Sequence, residues 1–233
     1  QPTADELRSP LTMVSRTLDV LVGANERQQL DTLGPADVKI IIDMGDIGSA
    51  SFERVGDAIP VGRAAALTQR MRELVSAQAG RNARFMKQMA DNALRNGPAL
   101  TWTGAIDTHT QGGRHVVDLK LHGTAIYVDA ARLFALAHGI AATGTRARFE
   151  AAALAMRVPV REAEAWSDGF EVLQTMRLQV QLAAASREAV DASDGNPNLI
   201  DVGALNDIDR RLLKESLRVA RRLQQRIEMD YSR

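Results

Sequence analysis

Two charged groupings in this chain are spaced so that they could hold a ligand. In Val117-Asp118-Leu119-Lys120-Leu121-His122-Gly123, Asp118 and Lys120 stand two residues apart, which puts both on one face of a strand. In the helix expected to follow, Asp129 and Arg132 stand three apart. If that helix begins near Ala125, Lys120 and Arg132 come within reach of one anion, with Asp129 orienting the guanidinium and the free helix N–H groups adding partial positive charge. The plainer alternative is an exposed ion pair at a hairpin end and a structural Asp129–Arg132 contact. Arg148 and Arg177 lie on helices otherwise lined with apolar residues. They read either as salt bridges across a bundle or as phosphate ligands facing a catalytic domain. Arg211, Lys214, Arg218, Arg221 and Arg222 form a stripe on the last helix, which reads as its solvated face. Nucleic-acid binding is disfavoured there, because it calls for interleaved aromatics and only Tyr231 is near.

No complete catalytic motif accompanies these groups. Gly48-Ser49-Ala50-Ser51 is the nearest string to a Gly-x-Ser-x-Gly elbow and does not fit it. There is no P-loop and no dinucleotide fingerprint. His109, His115, His122 and His138 lack the spacing of zinc ligands, so those near the hairpin read as surface or packing residues. Cysteine is absent, which excludes disulfides and thiolate metal sites. The expected count of catalytic residues, metals and bound cofactors in this chain is therefore none.

The elements that must position these residues are mainly helical. Of 233 residues, 45% are hydrophobic and only 4% aromatic, so the core must be built from Leu, Ala, Val, Ile and Met. Basic and acidic residues balance at 29 each, which disfavours a globally basic nucleic-acid binder. The periodicity predicts helices over about Val61–Ala79, Arg81–Arg95, Ala125–His138, Thr145 to Val158, Arg161 to Ala192 and from Asn206 to Tyr231. Thr145 is expected as a cap, as is Asn206 with Asp209 three residues on. Trp166, Phe170, Leu173, Val180 and Ala184 form one apolar stripe. Leu100–Ile106 and His115–Leu121 are expected to pair as a hairpin around Gln111-Gly112-Gly113. Val38–Ile42 reads as a buried strand, so residues 1–79 form a short α/β segment and residues 80–233 an antiparallel helical bundle with a β-hairpin, divided near Gly80. No apolar run approaches the ~20 residues of a membrane span. Gln1-Pro2-Thr3 begins no secretory signal and no initiator Met precedes it, which points to a fragment of a cytoplasmic protein.

Two segments resemble known families. From about Leu7 to Ala66, the string Asp37-Val38-Lys39-Ile40-Ile41-Ile42-Asp43-Met44-Gly45-Asp46-Ile47-Gly48-Ser49-Ala50-Ser51-Phe52 resembles the closing strand and loop of patatin-like phospholipases, and Gly62-Arg63-Ala64-Ala65 is similar to that family's last helix. The serine elbow of that fold would lie upstream, so none of its catalytic residues falls here. From about Arg81 to Tyr231 the chain resembles the substrate-binding domain that follows a nucleotidyltransferase domain in bacterial proteins with cyclic-nucleotide-binding and CBS modules. The residues that carry this are Val117 to Gly123, Val128-Asp129-Ala130-Ala131-Arg132-Leu133, Thr145-Arg146-Ala147-Arg148-Phe149 and Asn198-Leu199-Ile200-Asp201.

The second resemblance covers more of the chain and implies a helical substrate-binding or regulatory module of a bacterial signalling nucleotidyltransferase. The whole protein would transfer a nucleotidyl group, uridylyl for example, onto a protein partner. Mg²⁺ and the nucleotide are implied for a catalytic domain that is missing from this chain, which has no Asp-x-Asp of that kind. The module's own partners would be a nucleotide or an acidic protein, with Asp118, Lys120, Asp129, Arg132 and Arg148 as candidate ligands. The terminal part of a lipid acyl hydrolase, or a stand-alone helical interaction module, is the alternative.

Overall fold

The computed structural model describes residues 72–73, 75–188 and 196–232. The segment from Leu7 to Ala66, with the expected strand Val38–Ile42, lies outside these residues, and the expected helix Val61–Ala79 is described only at residues 72–73 and 75–79. Residues 75–79 are helical and lead into α1 (Ala83–Ala93), which Asn82 caps by accepting the Phe85 N–H at 3.0 Å. Three short strands follow at intervals, β1 (His109–Gln111), β2 (Arg114–Asp118) and β3 (Leu199–Asp201). Between β2 and β3 lie a π-helical turn (Lys120–Thr124), α2 (Ala125–Ala137), α3 (Thr145–Ala155) and α4 (Val160–Glu188). A 3₁₀ turn (Val202–Ala204) and α5 (Asp207–Tyr231) close the chain. The fold is mainly helical, a bundle with one small antiparallel sheet in the order β1-β2-β3.

The hairpin is where sequence pattern and structure part. β2 pairs with residues 109–111, Thr110 opposite His115 and Gln111 opposite Arg114, and not with Leu100–Ile106. The turn itself is where the glycines put it. Gly112 (φ 55°) and Gly113 (φ 76°) both adopt the positive φ that a two-residue hairpin turn demands. Leu100 and Ile106 instead close a loop of their own through a single antiparallel bridge. A smaller correction concerns Thr145, which is the first residue of α3 and not its cap; Gly144 holds that position without a side-chain bond.

Among the described residues, four aromatic side chains meet at the centre. Tyr127, Phe134, Phe149 and Trp166 are all buried, with the Phe134–Trp166 and Phe149–Trp166 ring centroids 5.6 and 5.5 Å apart. Around them, the small side chains of Ala130 and Ala131 on α2 and of Ala152 and Ala153 on α3 are buried. The stripe expected on α4 faces this core, Trp166 and Leu173 buried and Phe170 and Val180 packed against it. On α5, Leu213, Leu217, Ala220 and Ile227 are buried and Asn206 caps the helix as expected, accepting from Asp209 N at 2.9 Å. Val75 and Ala79 join the same buried cluster from the helical residues before Gly80. Among the described residues, no helix is long and apolar enough to cross a membrane.

Candidate functional site

β2 ends at Asp118, and the next residue turns the chain. Leu119 already has helical angles (φ −66°, ψ −24°), so Lys120 is not on a strand face with Asp118. Asp118 instead caps the turn it begins. Its Oδ1 accepts the N–H groups of Lys120 at 2.8 Å and Leu121 at 2.9 Å, and its Oδ2 accepts from Asn196 Nδ2 at 2.6 Å. The turn is wide because Thr124 N donates five residues back to Leu119 O, at 2.8 Å. Gly123 sits in it against Leu173, whose Cδ1 would lie 3.4 Å from any added Cβ. The turn then runs straight into α2, since Thr124 and Ala125 both keep right-handed helical angles.

That continuity parts the two cations of the expected anion site. Lys120 and Arg132 lie on one helical run, and at about 1.5 Å per residue they are separated by roughly 18 Å along its axis. The Ala125 N–H is no free donor either, being bonded to Lys120 O, and Asp118 takes the first free donors of the run. Arg132 and Asp129 do pair, at 3.7 Å with both side chains 23% exposed. Burial pushes the Asp129 carboxyl up to about 6, and the Arg132 guanidinium offsets part of that. The two form a half-buried ion pair on α2.

Arg148 is only 6% exposed and donates its Nε to Ala142 O at 2.8 Å, tying the α2–α3 connection to α3. A guanidinium so deep does not reach a ligand from solvent. Arg177 meets an amide and not a carboxylate, its Nε donating to Asn198 Oδ1 at 2.7 Å. The basic stripe on α5 is divided. Arg221 donates to the carbonyls of Leu100 and Thr101 at 2.7 and 2.8 Å, Arg218 pairs with Glu215 at 2.5 Å, and Arg211 and Arg222 stay exposed.

What the fold does bring together is a cleft of about 320 Å³ between the 97–108 loop and the β2–turn junction. Pro98, Asp107, His109, Val117, Asp118 and His122 line it. Its walls are held by Ala99 N donating to His122 O at 3.3 Å and Asp107 N donating to Ala99 O at 2.9 Å. His122 donates Nδ1–H to Gly97 O at 2.9 Å, which fixes the ring and leaves Nε2 as its acceptor when the imidazole is neutral. Asp118 has three of its roughly four acceptor positions filled, so one remains. Among the described residues no lysine or arginine lines the cleft. Its chemistry is that of acceptors and imidazoles, suited to hydroxyl or amine hydrogens and unsuited to a phosphate.

This donor set does not fit Mg²⁺. Asp118 is committed to three N–H donors, and the described residues contain no group of three or more His, Cys, Asp or Glu placed to hold a metal ion. Of the residues singled out from sequence, only Asp118 lines the cleft, with Lys120 two residues on. Asp107 carries no signal in the sequence, and His109 and His122, which read there as surface or packing residues, line the cleft. No spacing joins them, because the 97–108 loop meets residues 117–122 only in the folded chain.

The family model described as "Putative nucleotidyltransferase substrate binding domain" matches residues 83–231, from the first residue of α1 to the last of α5. No curated protein and no solved structure matches the chain.

Proposed function

This chain belongs to the nucleotidyltransferase substrate-binding domain family, and on that premise we propose that its cleft holds a nucleotide-type ligand by the sugar hydroxyls. The carrying observation is the placement of Asp107 and Asp118 with His109 and His122 around one small cavity. Carboxylates accept hydrogen bonds from ribose hydroxyls, whereas they repel a phosphate. The phosphates would therefore point out of the cleft towards exposed Lys120, which keeps that residue as a ligand. Arg148 ties the α2–α3 connection of the bundle that carries the site, and Asp129 and Arg132 pair along α2.

In this reading residues 80–233 are the recognition module of a bacterial signalling protein. Transfer, uridylylation for example, takes place on a separate domain with its own carboxylates, where Mg²⁺ neutralises phosphate charge. The chain described here binds, orients and presents. The α/β segment before it and a cytoplasmic setting belong to the same proposal.

Calorimetric titration with UTP and with its 2′,3′-dideoxy analogue tests the hydroxyl reading. Saturable UTP binding, weakened about tenfold or more by loss of the hydroxyls and again by Asp107→Asn, is the expected result. Equal binding of the two nucleotides, or no saturable heat with either, would sink it.

A further inference from the structure

A second surface stands apart from the cleft. The loop closed by Leu100 and Ile106 carries Trp102 at its tip, 94% exposed, the only aromatic among the large exposed apolar side chains of the described residues. The tip is rigidly built. Thr101 N donates to Ala105 O at 2.9 Å, and Thr101 Oγ1 bonds Thr103 Oγ1 at 2.8 Å and accepts from Ala105 N at 3.1 Å. Gly104 turns the chain with φ 82°. From beneath, Arg221 clamps the Leu100 and Thr101 carbonyls to α5. An indole on a braced loop carries a large apolar area ready to be covered, with little backbone freedom left to lose on contact and only two side-chain torsions to fix.

The ground around it is positive. From Arg210 to Arg226, α5 carries seven basic residues against one acid, Glu215, in a chain whose charges as a whole balance at 29 and 29. Arg210, Arg221 and Arg226 are used inside the fold, on the Val202 and Leu205 carbonyls, on the loop, and on Glu162. Arg211, Lys214, Arg218 and Arg222 recur at three and four residues, hence on one face of the helix. Arg218 reaches the loop, its Nη2 3.9 Å from where a Cβ on Gly104 would stand.

We infer that Trp102 and this face of α5 are the docking surface for an acidic protein segment. The indole fills an apolar pocket on the partner while Arg211, Lys214 and Arg222 meet carboxylates around it, an aromatic anchor within a charged rim. Charge complementarity sets the partner's sign, and the single ring sets its class. A nucleic-acid strand tracked along a basic groove calls for successive aromatics on which bases stack, and this surface offers one. The docking surface does not depend on the cleft and stands or falls separately from it.

A random displayed-peptide library selected on the whole chain, with counter-selection on Trp102→Ala, tests this. So exposed a side chain leaves the fold intact on removal, which circular dichroism checks. The expected winners carry Asp and Glu around aliphatic residues. They bind Trp102→Ala and Arg211→Glu/Arg222→Glu chains at least about tenfold more weakly, and shield Trp102 from acrylamide while buried Trp166 is unaffected. No enrichment over the Trp102→Ala chain, or winners without acidic surplus, overturns the inference. So does Trp102-dependent binding of a single-stranded oligonucleotide that exceeds the peptides.

Discussion

The Tyr127 hydroxyl on α2 occupies the space that a side chain at Gly169 on α4 would need, and from there it donates to Ser216 O on α5 at 2.6 Å. Three helices thus meet at one buried phenol, which burial keeps neutral and a donor. Gly169→Ala should therefore destabilise by about 2–3 kcal/mol although alanine is the better helix former. Tyr127→Phe removes the obstructing oxygen at a cost of about 1–2 kcal/mol. In that background the Gly169→Ala penalty should shrink by roughly 1 kcal/mol or more, a coupling that urea unfolding of the four-variant cycle measures. Additive effects would show that α2 and α4 do not meet at this point.

Arg221 is expected to brace the Trp102 loop and not to serve as a surface charge. Arg221→Ala should raise hydrogen exchange at the bonded amides of Thr101, Gly104 and Ala105, and leave the α4 core amides unchanged. Arg222→Ala, one residue on and exposed, should leave both sets of amides unchanged. Equal protection in both variants would mean that the loop holds itself.

Asp129 should make the bundle less stable as the solution becomes less acidic. Its folded carboxyl keeps a proton to about pH 6 because of burial, against 3.8 for the unfolded chain. The folded state thus binds the proton more tightly. The contribution is complete below pH 3.8 and is lost as pH rises from there to about 6, by at most about 3 kcal/mol. Asp129→Asn should remove this component, so the variant gains on the parent between pH 4 and pH 7 in chemical unfolding. A pH-independent difference between the two proteins would refute it.

The family match starts at residue 83, yet Val75 and Ala79 are buried in the bundle core, and a Cβ on Gly80 would collide with the Ala137 carbonyl. A fragment beginning at residue 72 should melt cooperatively. One beginning at residue 83 should be weaker by about 2–3 kcal/mol, the worth of the lost apolar burial. Equal melting of the two fragments would show that residues 75–79 contribute nothing.

Helical periodicity made most of the bundle legible, as on α5, where Leu213, Leu217, Ala220 and Ile227 share the buried face and Asn206 supplies the cap. Gly112-Gly113 marked the hairpin turn because both positions need positive φ. The partner of β2 is not legible, because Leu100–Ile106 has strand-like residues, whereas pairing continues outward from the glycine turn through Gln111, Thr110 and His109. The site was the least legible part. Alternation puts Asp118 and Lys120 on one strand face, but Asp118 finds the backbone N–H groups of Lys120 and Leu121 and ends the strand there. That local choice starts the helical run early and moves Lys120 away from Arg132. The cleft that replaces the expected anion site depends on contacts between residues 97–109 and 117–122, which no local pattern encodes.

The central claim is that a ligand's hydroxyls enter the cleft between Asp107 and Asp118. The most direct measurement follows the imidazole resonances of all four histidines by NMR during titration with UTP. The account predicts saturable shifts at His109 and His122, which line the cleft, and none at His138, whose Nδ1 is bonded to Phe134 O at 2.9 Å on the far end of α2. Asp107→Asn should weaken the response at both cleft histidines together. Shifts absent at His109 and His122, or spread equally over His138, would contradict it.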